Sequence, residues 1–251
     1  MNKLFIVVLI ALFTVCAFAQ KSEKSAKAET KKESAKSEAK TEQTPLETAK
    51  AALEAHGGDK FKNMKTLVVR GTASVSGSPT VTFPATFAMI IAGEKYRLEI
   101  TNPFQPFKQV YDGRQTQSSM NNFTMPPINR LGLPLLQKIE AENFTVSALS
   151  PEKYKKKKGF RITSPEGYYT DFFTDEKTGQ VKSYEASYDF NGRTITTSVE
   201  IDKLLDVKGV LIPERYAQRF DMGQFTIYAD FKAKEILVDS EIADDVFSIA
   251  N

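Results

Sequence analysis

The sequence predicts a mainly β protein. Its antiparallel strands curl into a barrel or half-barrel, with one short helix before them and one helical insert among them. Three observations predict this. Apolar and polar residues alternate with period two in segment after segment beyond residue 66. Turn signals at Ala92-Gly93-Glu94, Asp112-Gly113, Asn191-Gly192 and Met222-Gly223 recur at the spacing of a meander. Only two segments show a helical pattern, too little helix to cover a long one-faced sheet, so the sheet has to curl upon itself.

The start of the chain specifies a compartment. Met1-Asn2-Lys3, the apolar run from Leu4 to Phe18, and Ala17-Phe18-Ala19 have the layout of a secretory signal peptide, residues 1–19. The run is about 15 residues, short of the roughly 20 that a spanning helix needs. Cys16 as a lipid-attachment site is disfavoured by Val15, where such a signal takes a small residue. Cys16 is the chain's single cysteine, so cleavage leaves no disulfide and no thiol. Residues 20–44 are rich in Lys, Glu, Ala and Ser, with nothing aromatic and no aliphatic side chain larger than Ala. Such a segment buries too little apolar surface to fold, and reads as a disordered or partly helical linker. Lys3, seven further lysines and five glutamates precede Pro45, which leaves 26 basic and 26 acidic residues in 45–251. The net charge of +3 is therefore no argument for nucleic acid.

Each element then follows in order. Thr44 can cap a helix over Pro45 to Ala55, with Pro45 in its first turn and Gly57-Gly58 as its stop. Leu67, Val69, Gly71, Ala73 and Val75 share one face of a first strand. Phe83, Ala85, Phe87, Met89 and Ile91 share one face of a second, and Tyr96, Leu98 and Ile100 continue it after the turn. Residues 107–112 form the next strand. Alternation returns at Phe160 and Ile162, then from Tyr168 to Thr174, and at Tyr184, Ala186, Tyr188 and Phe190. A hairpin at Asn191-Gly192 leads to Ile195, Thr197, Val199 and Ile201. Ile212 to Phe220 and Phe225 to Phe231 form the last hairpin. About ten strands result. The insert, Ile128 to Asn143, reads as a helix carrying Ile128, Leu131, Leu135, Leu136 and Ile139, with Gly132 and Pro134 breaking or kinking it. Two readings of it stay open, an ordinary core helix and an apolar lid over an open barrel. The interior likewise has two readings, filled by 15 Phe and 9 Tyr or holding a ligand.

Little in the chain suggests catalysis. His56 is the one histidine, placed beside a helix stop where a capping or surface role is expected. One histidine and no mature cysteine leave almost nothing for zinc or for a nucleophile–base pair. Asp112, Asp171, Asp175, Asp244 and Asp245 form no pair whose spacing demands acid–base work, and no phosphate loop is present. The run Lys155, Lys156, Lys157 and Lys158 reads either as a solvated loop or as a membrane-contacting patch, worth about 1 kcal/mol per basic residue near anionic lipid.

Several stretches together resemble the LolA/LolB superfamily of periplasmic lipoprotein carriers. These are "AKAALEAHGGDKFKNMKTLVVRG" (Ala49 to Gly71), "VYDGRQT" (Val110 to Thr116), "FTDEKTGQVKSYEA", "VKGVLIPERY" and the closing "EILVDSEIADDVFSI". The resemblance implies an unclosed half-barrel over 45–251, with a helical lid and an apolar cavity that shelters acyl chains, and neither catalysis nor cofactor. It implies a periplasmic, monomeric carrier of acylated lipoprotein or lipid cargo, which sorts it toward the outer membrane and transiently meets an anionic membrane surface or envelope transport proteins. Family members latch the lid with an arginine near the start of an early strand, and the nearest counterparts here are Lys95 and Arg97, with Arg70 earlier. The walls expected on this reading are Phe83, Phe87, Met89, Leu98, Tyr184, Tyr188, Phe225 and Ile227. The lid is Ile128, Leu131, Leu133, Leu135, Leu136 and Ile139. The rival reading is a filled β-domain acting as an envelope scaffold or interaction module.

Overall fold

The computed structural model describes residues 43–78, 81–104, 106–120, 124–155, 157–190, 193–221 and 226–248. The segment expected to be a signal peptide and nearly all of the expected linker, with Phe225 and Lys156, lie outside the described residues. Helix α1 (Pro45–Ala55) opens with a reciprocal cap. The Thr44 hydroxyl accepts from the Glu47 N–H at 3.2 Å, and the Glu47 carboxylate accepts from the Thr44 N–H at 2.8 Å. After the turn at Gly57 and Gly58, both at positive φ, comes a single helical turn, α2 (Asp59–Lys62), which no periodicity announced.

Among the described residues the chain forms twelve strands in one antiparallel sheet. The first half is β1 (Thr66–Ser78), β2 (Val81–Ala92), β3 (Lys95–Thr101), β4 (Phe107–Tyr111) and β5 (Thr116–Ser118). The second is β6 (Thr145–Ser147), β7 (Gly159–Thr163), β8 (Tyr169–Thr174), β9 (Val181–Phe190), β10 (Arg193–Val207), β11 (Val210–Asp221) and β12 (Thr226–Val238). The chain walks from β1 outward to the edge at β5. It then crosses to the opposite edge at β6 and walks back until β12 lies beside β1. The edges are not paired with each other, so the barrel is unclosed. Ten of the strands are those of the alternation. The additional two, β5 and β6, are the edges, each three residues long and too short to show a period.

The face predicted to be apolar is the inner one. Leu67 and Val69 of β1 stand opposite Ile91 and Met89 of β2, and Met89 stands opposite Leu98 of β3. Helix α1 buries Ala49, Ala52 and Leu53 in the main core with Phe61, Phe160, Ile162 and Phe172. His56 is the C-cap residue of α1, one of the two roles expected for it, but it does not lie at the surface. It follows the last turn of α1 and is fully buried, its Nδ1 at 3.0 Å from the Leu211 carbonyl and its Nε2 accepting from the Val181 N–H at 3.0 Å. It thus fastens the helix to β11 and β9 as a neutral ring with the proton on Nδ1.

The insert departs from the expected helix. It is two 3-10 turns, Ile128–Arg130 and Leu133–Lys138, separated by Leu131 in extended conformation and Gly132 at φ 65°. Only glycine adopts that φ without strain, and a Cβ there would fall 2.9 Å from the Tyr184 ring. Leu133, Leu135, Leu136 and Ile139 are buried in the main core, whereas Ile128 is only partly buried against it and Leu131 is half-exposed.

The outer face is covered in two places. The closing 3-10 turn, Asp244–Phe247, sets Phe247 on Val68, Ile90 and Val110. Arg97 holds it there, donating to the Val246 carbonyl at 2.7 Å while paired with Glu99. Arg97 therefore serves the outer face and is no lid latch. On the other half, Tyr154 sits edge-on to Phe173 at 4.9 Å, its hydroxyl between Asp171 (2.9 Å) and Glu185 (2.7 Å). Arg161 meets the fully buried Asp171 with two nitrogens, at 2.6 and 2.8 Å.

The packing of His56 and of the insert can be tested separately. Burial lowers the pKa of His56, opposed in part by the Leu211 carbonyl. The folded state thus refuses a proton that the unfolded chain accepts near pH 6.5. Stability is full above that pH and falls as the pH drops below it. Glu47, Asp112 and Asp175, whose pKa values are lowered by hydrogen bonds, lose their contribution only at more acidic pH. Thermal melts between pH 7.5 and 5.5 should show the decline in the native chain and little slope in His56→Gln, which is less stable throughout. In denaturant titrations, Leu135→Ala should cost about 2–5 kcal/mol as a core cavity. Leu131→Ala should cost about 1 kcal/mol, which separates anchor from roof.

Candidate functional site

The inner face encloses a cavity of about 190 Å³. One wall is Val69, Phe87, Met89, Ile91, Leu98 and Ile100 from β1–β3. The facing wall is Tyr184, Ala186 and Tyr188 from β9, Val199 from β10, and Ile212, Tyr216 and Phe220 from β11. Phe231 of β12 joins the walls at the back, where it stacks on Tyr216 at 4.7 Å. Leu98 and Tyr184 belong to strands six places apart in the sheet order, so a shared cavity requires the sheet to curl. Phe61 and Met64 close one end. Met125, Pro126, Ile128, Leu131, Gly132, Leu133 and Pro134 form the roof.

The roof is pinned at both sides of the opening. Gln109 of β4, with no exposure, accepts from the Met125 N–H at 2.7 Å and donates to the Met125 carbonyl at 2.8 Å and to the Tyr96 hydroxyl at 2.6 Å. The Asn129 amide donates to the Gly93 and Glu94 carbonyls. Arg130 and Lys138 both pair with the Glu94 carboxylate, at 2.9 and 3.0 Å. On the far side the Gly132 N–H donates to the Thr170 hydroxyl at 3.1 Å. Gln109 thus ties Met125, at the start of the roof, to β4.

Of the expected wall residues, Phe87, Met89, Leu98, Tyr184 and Tyr188 line the cavity. Phe83 lies on the same sheet face but packs edge-on against Phe104, at 5.3 Å, beyond the lining. Ile227 stands opposite Phe220 and is half-buried without reaching the lining, and Phe225 lies outside the described residues. Of the expected lid, Ile128, Leu131 and Leu133 face the cavity, while Leu135, Leu136 and Ile139 anchor the segment in the core. Lys155, Lys157 and Lys158 are exposed beside Tyr154 on the outer side, Lys157 lying 4.4 Å from the Phe173 ring centre. Sequence reasoning missed Phe61, Met64, Tyr216, Phe220 and Phe231. For Tyr216 and Phe220 the signal was present, since Tyr216, Gln218 and Phe220 alternate with Arg215, Ala217 and Arg219.

Part of the polar lining is satisfied internally. Gln218 donates to Thr197 at 2.9 Å, and Gln137 donates to the carbonyls of Phe61 and Met64. Burial pushes the Tyr188 phenol up to about 12, and it raises those of Tyr184 and Tyr216 as well. Among the described residues no cluster of His, Cys, Asp and Glu is arranged to hold a metal, and no helix is long and apolar enough to cross a membrane. The arrangement can shield an apolar chain from water.

No family model and no curated protein sequence matches the chain. Solved structures do. A LolA superfamily protein from Nitrosomonas europaea is 11% identical with a TM-score of 0.52, the match covering 83% of this chain and 99% of that one. A DUF1329 family protein from Desulfovibrio piger is 10% identical with a TM-score of 0.49, covering 82% of this chain and 98% of that one. The twelve-stranded unclosed sheet with its roofed inner face is a LolA-like fold.

Proposed function

We propose that the protein is a periplasmic carrier that takes acyl chains of lipoproteins or lipids into the apolar cavity and helps sort them to the outer membrane. The observation that supports this is the space itself. A filled β-domain serving as a scaffold would close it with side chains, yet here walls from both halves of the sheet and a separate roof stand around an apolar void. Each CH₂ moved from water into such surroundings gains about 0.8 kcal/mol, so a chain of modest length is held without a charge or a covalent bond. The enclosed volume, about 190 Å³, is below the roughly 300–1,000 Å³ usual for a small-molecule pocket. Loading therefore requires the roof to move, and its tie to Glu94 is the accessible one. Nothing in the lining suits acid–base or nucleophilic chemistry, so the reading is a non-enzymatic one. The protein works as a monomer in this reading, and Lys155 to Lys158 meet anionic head groups during transfer.

The chain purified from a lipid-containing host should carry acyl species detectable by mass spectrometry after extraction. It should also bind N-phenylnaphthylamine with a fluorescence rise. Met89→Glu and Leu98→Glu place a carboxylate in the wall and should weaken that binding at least ten-fold while circular dichroism stays native. Neither co-purified lipid nor dye binding in the native chain would refute the carrier. Reversing Lys155, Lys157 and Lys158 to Glu should reduce sedimentation with phosphatidylglycerol vesicles at low salt and leave dye binding unchanged.

A further inference from the structure

The cavity carries one feature that shelter for hydrocarbon does not need. Tyr184 and Tyr188 of β9 and Tyr216 of β11 line it. Among the described residues no group hydrogen-bonds their hydroxyls; burial is what acts on the Tyr184 and Tyr188 phenols, and Tyr216 adds only the nearby Tyr184. Tyr184 stands directly beneath the roof, where a Cβ on Gly132 would lie 3.0 Å from its hydroxyl oxygen. Tyr216 is held flat against Phe231. Both rings are therefore fixed, and both hydroxyls belong to the apolar enclosure.

A wall built only for methylene chains would use Phe at these positions, with the same shape and no donor to desolvate. The other polar side chains deep in the lining already have protein partners, Gln218 with Thr197 and Gln137 with two carbonyls. The unmatched groups are phenol hydroxyls, whose O–H protons are free to donate, and a ligand that offers an acceptor takes them up. No cation stands among them, because Lys65, the one basic residue of the lining, is exposed at its edge. A carboxylate brought to the tyrosines would lose its hydration with no counter-charge. The acceptor that fits is neutral, as the carbonyl of an ester is.

We propose that Tyr184 and Tyr216 recognise acyl esters, their hydroxyls donating to the ester carbonyl of a chain held in the cavity. The site then selects esterified chains over ether-linked chains and over free fatty acids. This rests on the carrier reading and narrows its cargo.

The test is competition against N-phenylnaphthylamine on the full chain, using monolauroylglycerol, its ether analogue dodecylglycerol and lauric acid at pH 8. The first two share head group and chain length and differ in the carbonyl. The native protein should bind the ester about ten-fold more tightly than the ether, with lauric acid weaker than the ester. In Tyr184→Phe/Tyr216→Phe the ester should fall to the affinity of the ether, while the ether affinity stays as in the native chain and so reports an intact cavity. Each single variant should lose part of the preference, which covers a double variant that fails to fold. Equal binding of ester and ether by the native protein, a preference that survives in the double variant, or stronger binding of lauric acid would overturn the proposal. In each of those cases dye and ether still bind, and the carrier reading stands. If dye, ester and ether all fail to bind, the carrier reading falls and this one with it.

Discussion

The two free edges of the sheet, β5 and β6, are consecutive in the chain and opposite in space. Because β12 returns to pair with β1, the middle of the sheet is built from the two ends of the domain and its rims from the middle of the sequence. The described residues 124–144 of the connection from β5 to β6 therefore lie on the unclosed side. That constraint makes a roof unavoidable, and the apolar inner face makes it useful. A closed barrel would have paired the edges and left the segment on the surface. Here short edges of three residues each lack the length to recruit a foreign strand.

How firmly the roof is held varies along it. Its second turn is anchored by Leu135 and Leu136, both without exposure, and beyond it Glu140 meets Lys62 and Lys50 at the helices. Its lead-in is fixed by Gln109, whose buried amide satisfies both backbone groups of Met125. Between these lie Ile128 to Leu131, secured to the β2–β3 turn by Asn129 and by the solvent-exposed Glu94. Ion pairs of that exposure contribute about 0–1 kcal/mol, less than burial of a single leucine. The stretch over the cavity is thus held by hydrogen bonds and ion pairs rather than by buried leucines, and Gly132 at its end takes a backbone angle that other residues resist.

What is legible in the sequence follows from which interactions are periodic. The inner faces of β1–β3 and β9 repeat every second residue, and that period alone groups Phe87, Met89, Leu98, Tyr184 and Tyr188 on one face. The Asp112-Gly113 turn is equally plain, and Asp112 there accepts from the N–H groups of Arg114 and Gln115. The roof shows as an apolar stretch but reads as one helix, because Leu spacing suggests a helical stripe, whereas the chain breaks at Leu131 and Gly132 into two 3-10 turns. Its division into roof and anchor is not legible, since both halves are leucine-rich. His56 looks peripheral beside two glycines, and its burial depends on Leu211 and Val181, 155 and 125 residues away.

Register is the step on which the cavity depends, because a slip of one residue would turn Phe87 and Leu98 outward. Simple alternation leaves this underdetermined at the upper end of β1, where Leu67, Val68 and Val69 are all buried. The outer clasp resolves it. Phe247 covers Val68, Ile90 and Val110, and Arg97 ties the closing turn down, so apolar residues at that end are satisfied on both faces. Toward the middle of the strands the outer positions become Arg70, Thr72, Thr86 and Glu99, and Arg70 pairs with Glu235 across β12. A slipped strand would bring those groups into the cavity and leave Phe247 without its bed. The clasp on the outside thus helps to set which side chains stand inside, and the outer and inner faces of the sheet are parts of one constraint.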